Sequence, residues 1–128
     1  MLDINPDTVC FLIDKAHEFH AQEQVVIPEV PNSPTEDWAL QALASHSGDP
    51  TFQEFKNTVD DLEPDQQHQL VALLWLGRGD YTVEEWDEAV TEARRLSNRR
   101  TAEYLIAHPM LADYLEEGLA ELDYSCEE

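Results

Sequence analysis

Apolar residues recur along the chain at helical rather than strand spacing. Val9, Leu12, Ile13 and Ala16, with His20, share one face behind Asn5 and Pro6. That spacing predicts a first helix from Pro6 to about Gln22, capped by Asn5. Pro28, Pro31 and Pro34 then punctuate Gln24 to Pro34, so this stretch reads as an extended linker laid over the core, with a short edge strand as the alternative. A second helix after Ser33 or Thr35 carries Trp38, Ala39, Ala42 and Leu43. A third opens at Asp49-Pro50, with Phe52, Phe55, Val59 and Leu62 as its stripe. A fourth starts at Glu63-Pro64 and contains the run Leu70 to Leu76. Its apolar residues cover most sides, so it is expected at the centre, ended by Gly77 or Gly79.

Thr82-Val83-Glu84-Glu85 is a capping box for a fifth helix with Trp86, Ala89, Val90, Ala93 and Leu96. A short sixth helix carries Tyr104, Leu105 and Ile106. Pro109 breaks the chain and seeds a seventh, striped by Leu111, Leu115, Leu119 and Leu122. The pattern predicts a single all-α domain of six or seven helices over residues 1–122, with an acidic tail, 123–128, that frays.

Composition sharpens this picture. The 128 residues carry a formal charge of −21, from 28 acidic and 7 basic side chains. Leu, Ile, Val and Phe make up 31 of the 128, above the roughly 20% floor below which high charge implies disorder. The charge therefore decorates a folded surface. It repels phosphate backbones and anionic lipids, which excludes direct nucleic-acid binding and membrane adhesion as expected functions. The longest apolar run, Leu70 to Leu76, is far short of the ~20 residues that span a bilayer. The start of the sequence shows neither the basic region nor the apolar stretch of a secretory signal, so the expected location is cytoplasmic. Cys10 and Cys126 stand at opposite ends. They read as a small core residue and a free thiol on the tail, and their number excludes a disulfide framework or a zinc finger.

Candidate chemistry is sparse. Gly77-Arg78-Gly79-Asp80 either presents a glycine-flanked arginine to an anion or is a helix-ending turn in which Arg78 pairs with a carboxylate; the second is preferred. A calcium-loop register around Gly79 or Val83 puts leucines and Arg78 where oxygen ligands belong. His17 and His20, with Asp14 and Glu23 nearby, could offer metal ligands. The spacing matches neither HExxH nor a paired di-iron motif, and a helix flank explains both. His108-Pro109 reads as a helix junction. No nucleophile motif, phosphate loop or cofactor signature is present. Five of the seven basic residues fall between Arg78 and Arg100: Arg78, Arg94, Arg95, Arg99 and Arg100. They either pair locally, with Glu103 for example, or form a positive patch that orients a partner.

The stretches Leu70-Val71-Ala72-Leu73-Leu74-Trp75-Leu76-Gly77-Arg78-Gly79-Asp80, Arg100-Thr101-Ala102-Glu103-Tyr104-Leu105 and Leu111 to Leu119 resemble a small, mainly bacterial family of unknown function, over roughly residues 50–122. The resemblance implies a compact helical protein and no known activity. It raises Trp75, Arg78, Asp80 and Tyr114 as site candidates, beside Arg95 and Arg99 from the arginine cluster. The expected function is an acidic protein-interaction or regulatory module, without catalysis, cofactor or metal, whose partner is another protein or a second copy of the chain. The alternatives are a metal-binding or hydrolytic helical bundle using His17 and His20, and a nucleic-acid mimic. Adaptation to a salty cytoplasm would explain the acidity without any function.

Overall fold

Three helices begin at a proline, whose fixed φ suits the first turn and whose missing N–H costs nothing there. In a computed structural model, which describes residues 2–22, 48–97 and 100–126, these are α1 (Pro6–His20), α2 (Pro50–Asp60) and α3 (Pro64–Arg78). The residue before each proline prepares the cap. Asn5 Oδ1 accepts from the Asp7 amide at 2.9 Å, and Asp49 Oδ1 from the Phe52 amide at 3.0 Å. At α3 the Gln66 side chain reaches back to accept from the Glu63 amide at 3.0 Å. The Pro-rich linker and the helix expected around Trp38 lie outside the described residues.

The capping box at Thr82 and Glu85 is present, with Glu85 Oε1 accepting from the Thr82 amide at 2.9 Å. The first turn behind it, Val83–Glu85, is a 3₁₀ turn, and α4 follows as Trp86–Arg95. Then come α5 (Thr101–Ile106) and α6 (Leu111–Glu121). Among the described residues there are six α-helices and no strand.

Helix α3 is the axis. Every residue from His68 to Leu76 is buried. It packs against α4, α5 and α6, while α1 covers α6 and α2, and α2 meets α5. A helix buried all round must satisfy its polar residues internally. Gln69 does so with Oε1, which accepts from the amides of Asp3 at 2.8 Å and Ile4 at 3.3 Å, pinning the segment that leads into α1.

The α3–α6 contact is unusually close because each helix brings a glycine to it. A Cβ on Gly77 would overlap the Tyr114 carbonyl oxygen, and one on Gly118 would stand 2.5 Å from the Leu73 carbonyl oxygen. Both obstacles are backbone, so neither can swing aside. Gly77, one of the two expected helix ends, is therefore internal to α3. Gly79 is the terminator, left-handed at φ 94°, where a side chain would be strained.

The tail corrects the sequence reading. Asp123 adopts φ 67° and turns the chain back, so that the Tyr124 amide donates to the Leu119 carbonyl at 2.8 Å. This is the Schellman arrangement, with aspartate where glycine is commoner. Tyr124 packs on the core, and Cys126 is bonded to Cys10 of α1. Neither cysteine is a free thiol. The count of two excluded a framework but not a single bond, and a separation of 116 residues leaves no local sequence signal for it. Closing so long a loop is worth about 4–5 kcal/mol in the chain-entropy account.

The glycine crossing yields a test. Alanine ordinarily stabilises a helix by about 1 kcal/mol over glycine, yet Gly77→Ala and Gly118→Ala are each expected to destabilise by about 2–4 kcal/mol, because backbone must move. Gly48→Ala, with nothing within 4 Å of the new Cβ, should stay within about 0.5 kcal/mol. Urea midpoints of the three variants decide it.

Candidate functional site

Where α3 ends, the left-handed Gly79 lets the Asp80 amide donate back to the Trp75 carbonyl at 2.9 Å. That reversal folds Asp80 onto Arg78. Its Oδ2 accepts from Arg78 Nε at 2.9 Å and from Arg78 Nη2. The preferred reading of this turn, a terminating glycine with a locally paired arginine, is what the structure shows.

The guanidinium has a second anchor. Arg78 Nη1 stands 3.0 Å from His108 Nε2. On the other side of the ring, His108 Nδ1 is 2.9 Å from the Tyr104 carbonyl oxygen. A carbonyl only accepts, so Nδ1 carries the proton and Nε2 accepts from the arginine. The chain of contacts continues through Tyr104, whose ring meets the His108 ring edge-on at 4.9 Å between centroids. Tyr104 Oη accepts from Trp75 Nε1 at 3.0 Å. Trp75, Tyr104, His108, Arg78 and Asp80 thus form one polar line from the core to the surface.

Burial governs its electrostatics. His108 is 1% exposed. Burial, then the adjacent Arg78 charge, push its pKa down to about 4, so the ring is neutral at neutral pH. Burial also pushes the Tyr104 hydroxyl up. His20 is lowered by burial as well; its Nε2 donates to the Ile106 carbonyl at 2.8 Å. With both ring nitrogens of His108 engaged and the Arg78 charge answered by Asp80, the line braces the junction between α3 and α5.

Arg78 is a shared wall between two depressions. One, of about 250 Å³, is lined by Trp75, Arg78, Asp80, Tyr81, Glu92 and Leu96. Tyr81 stacks on Trp75 there, with centroids 5.9 Å apart. The other, of about 160 Å³, is lined by Arg78, His108, Pro109, Met110 and Tyr114 and is almost wholly apolar. Met110, half exposed, forms its lip.

Of the residues nominated from sequence, Trp75, Arg78 and Asp80 meet in the first depression, and Arg78 and Tyr114 in the second. Arg95 of α4 does not line the first depression but pairs with Glu92, which does: exposed, its Nε and Nη2 donate to the two Glu92 carboxylate oxygens at 2.8 and 2.6 Å. This pair holds the Glu92 carboxyl below its usual range. Arg99 lies outside the described residues. Glu103 faces Lys56 of α2 at 3.9 Å. Sequence reasoning did not nominate His108, Tyr104, Tyr81 or Met110. The available signal was the i, i+4 spacing of Tyr104 and His108 across the end of α5.

His17 and His20 do not converge. His17 is exposed, 3.9 Å from Glu116 of α6, whereas His20 is turned to Ile106. Among the described residues no group of three or more His, Cys, Asp or Glu could hold a metal ion, and no helix is long and apolar enough to cross a membrane. Exposed carboxylates are carried by α1, α2, α3, α4 and α6 alike.

The molecule is thus an all-helical domain wrapped on one buried helix, with its polar line at that helix's C-terminal end. It belongs to the family described as a protein of unknown function (DUF3775), which matches residues 52–124. That span holds the glycine crossing and the whole polar line. No curated protein and no solved structure matches the chain.

The neutral histidine gives a pH prediction. An unfolded histidine protonates near pH 6.5, but folded His108 only near 4. As pH falls below 6.5 the unfolded state takes up the proton first, so stability drops until about pH 4, by about 3 kcal/mol in all. In His108→Gln this contribution is absent while the carboxylates common to both proteins cancel. Wild type should therefore lose ground to the variant between pH 7 and 4.5 in urea melts. A gap that stays constant across that window would contradict the neutral, buried state.

Proposed function

We propose that the protein is a non-catalytic interaction module that takes an apolar side chain of a basic partner segment into the recess beside Met110. The observation that carries this reading is the recess itself: an apolar pocket with a half-exposed methionine at its lip on a chain of charge −21. Methionine adapts its shape to apolar partners. Met110, Asp113, Tyr114 and Glu117 follow one another at i, i+3, i+4 and i+7, so two exposed carboxylates flank the opening on α6. Arg78 adds no free positive charge, since Asp80 neutralises it. A cationic segment is therefore attracted and another copy of the acidic chain repelled. The braced His108 and Arg78 keep the pocket wall fixed, which lowers the ordering cost of binding.

Fluorescence polarisation with two synthetic amphipathic helices tests this. One carries Leu and Lys/Arg; the other has every cation replaced by Glu. The basic peptide should bind, more weakly as salt rises, and Met110→Asp should weaken it about tenfold or more. Equal binding of both peptides, no binding of the basic one, or indifference to Met110→Asp would refute the assignment.

A further inference from the structure

We propose that the Cys10–Cys126 bond is a reversible redox clasp, opened by a dithiol reductant at Cys126, whose opening releases the C-terminal tail from α1 and uncovers the seam between α1 and α6. The two cysteines differ in exposure. Cys10 is partly buried on α1 and packs against the core, whereas Cys126 is exposed. Ser125 and Cys126 are exposed and lie in no helix, so the bond rather than burial keeps this end of the chain on α1. Beneath them is a recess of about 250 Å³ lined by Glu116, Leu119, Ala120, Tyr124, Ser125 and Cys126. Part of that lining is the tail itself. Releasing Ser125 and Cys126 removes one wall of the recess and opens it beside Glu116 of α6, which faces His17 of α1 at 3.9 Å.

The chemistry is thiol–disulfide exchange. One thiolate of the reductant attacks Cys126 Sγ, a mixed disulfide forms, and Cys10 leaves as a thiolate. The second thiolate of the reductant then closes on its own mixed sulfur and expels Cys126. The reductant ends as a disulfide, two electrons have passed to the protein, and each protein thiolate takes a proton from water. The core remains assembled. Leu119 and Leu122 stay buried in and just beyond α6, and the Tyr124 amide has its own acceptor in Leu119. The change is thus local rather than an unfolding.

Native-state NMR of the full chain, with thiols counted by alkylation and mass, tests the clasp. Dithiothreitol without denaturant should produce two thiols per chain. Amide shifts should change around Cys10 and over 116–126 only, and order parameters at 125–126 should fall below about 0.6 while Tyr124 stays ordered. Oxidised dithiothreitol should restore the starting spectrum. Cys126→Ser and Cys10→Ser should both resemble the reduced protein in either buffer. Three results would overturn the proposal: a bond that resists reduction until the protein is denatured, a reduced protein whose dispersed spectrum collapses, or free thiols with an unchanged tail. The first two outcomes would make the bond a structural staple. None of these readouts depends on a partner peptide.

Discussion

The structure turns on the place where two helix backbones touch. Gly77 lies on the Tyr114 carbonyl and Gly118 on the Leu73 carbonyl, each glycine four residues from the carbonyl that its partner meets. The pairing is reciprocal, so loss of either glycine separates both contacts. Such approaches bring Cα–H groups against carbonyl oxygens and let the neighbouring side chains interdigitate. They also fix where the next residues go. Arg78 follows Gly77 directly, and Tyr114 supplies the carbonyl that Gly77 meets. The arginine and the tyrosine wall the same recess because the backbones cross there.

Around that crossing, the buried helix sets the polar arrangement. A helix surrounded on all sides has little solvent for its hydrogen-bonding groups, and most find a partner, His68 Nδ1 being an exception. Gln69 takes the amides of Asp3 and Ile4, Trp75 takes Tyr104, and the exit of the helix is closed by Arg78, Asp80 and His108. His108 stays neutral because a charged ring there would sit buried beside a guanidinium. The candidate site is thus the helix's own termination chemistry carried out to the surface, where it meets an apolar recess.

What sequence could show follows from this geometry. The helices were legible because proline, cap residues and apolar stripes are local signals, and α1, α2 and α3 start where those signals put them. Gly77 and Gly79 stood as alternative helix ends because sequence does not separate a glycine that must turn left-handed from one that must lie against another backbone; among glycines only Gly79 has the positive φ. Arg78 and Asp80 were legible as a turn. Their link to His108 was not, since thirty residues separate Arg78 from His108 and the packing of α5 and α6 on α3 brings them together. The same holds for Cys10 and Cys126, which meet only after α6 has packed on α1. Long-range partners reached through a crossing leave no periodicity behind.

The charge also looks different once the cations are placed. Arg78 is held by Asp80, Arg95 by Glu92, Lys15 by Glu54 and Glu18, and Lys56 by Asp60. These four positive groups are held in internal pairs, so with 28 acidic and 7 basic side chains the net field outside stays negative. Exposed pairs contribute little stability, about 0–1 kcal/mol each, so removing their self-repulsion by salt matters more than weakening them. Two consequences then separate. In the proposed binding, encounter with a cationic segment depends on the long-range field and weakens as salt rises, whereas retention depends on apolar contact beside Met110, which salt does not screen. Under the proposed function, such a surface sorts partners by charge on approach and by side-chain shape once they arrive.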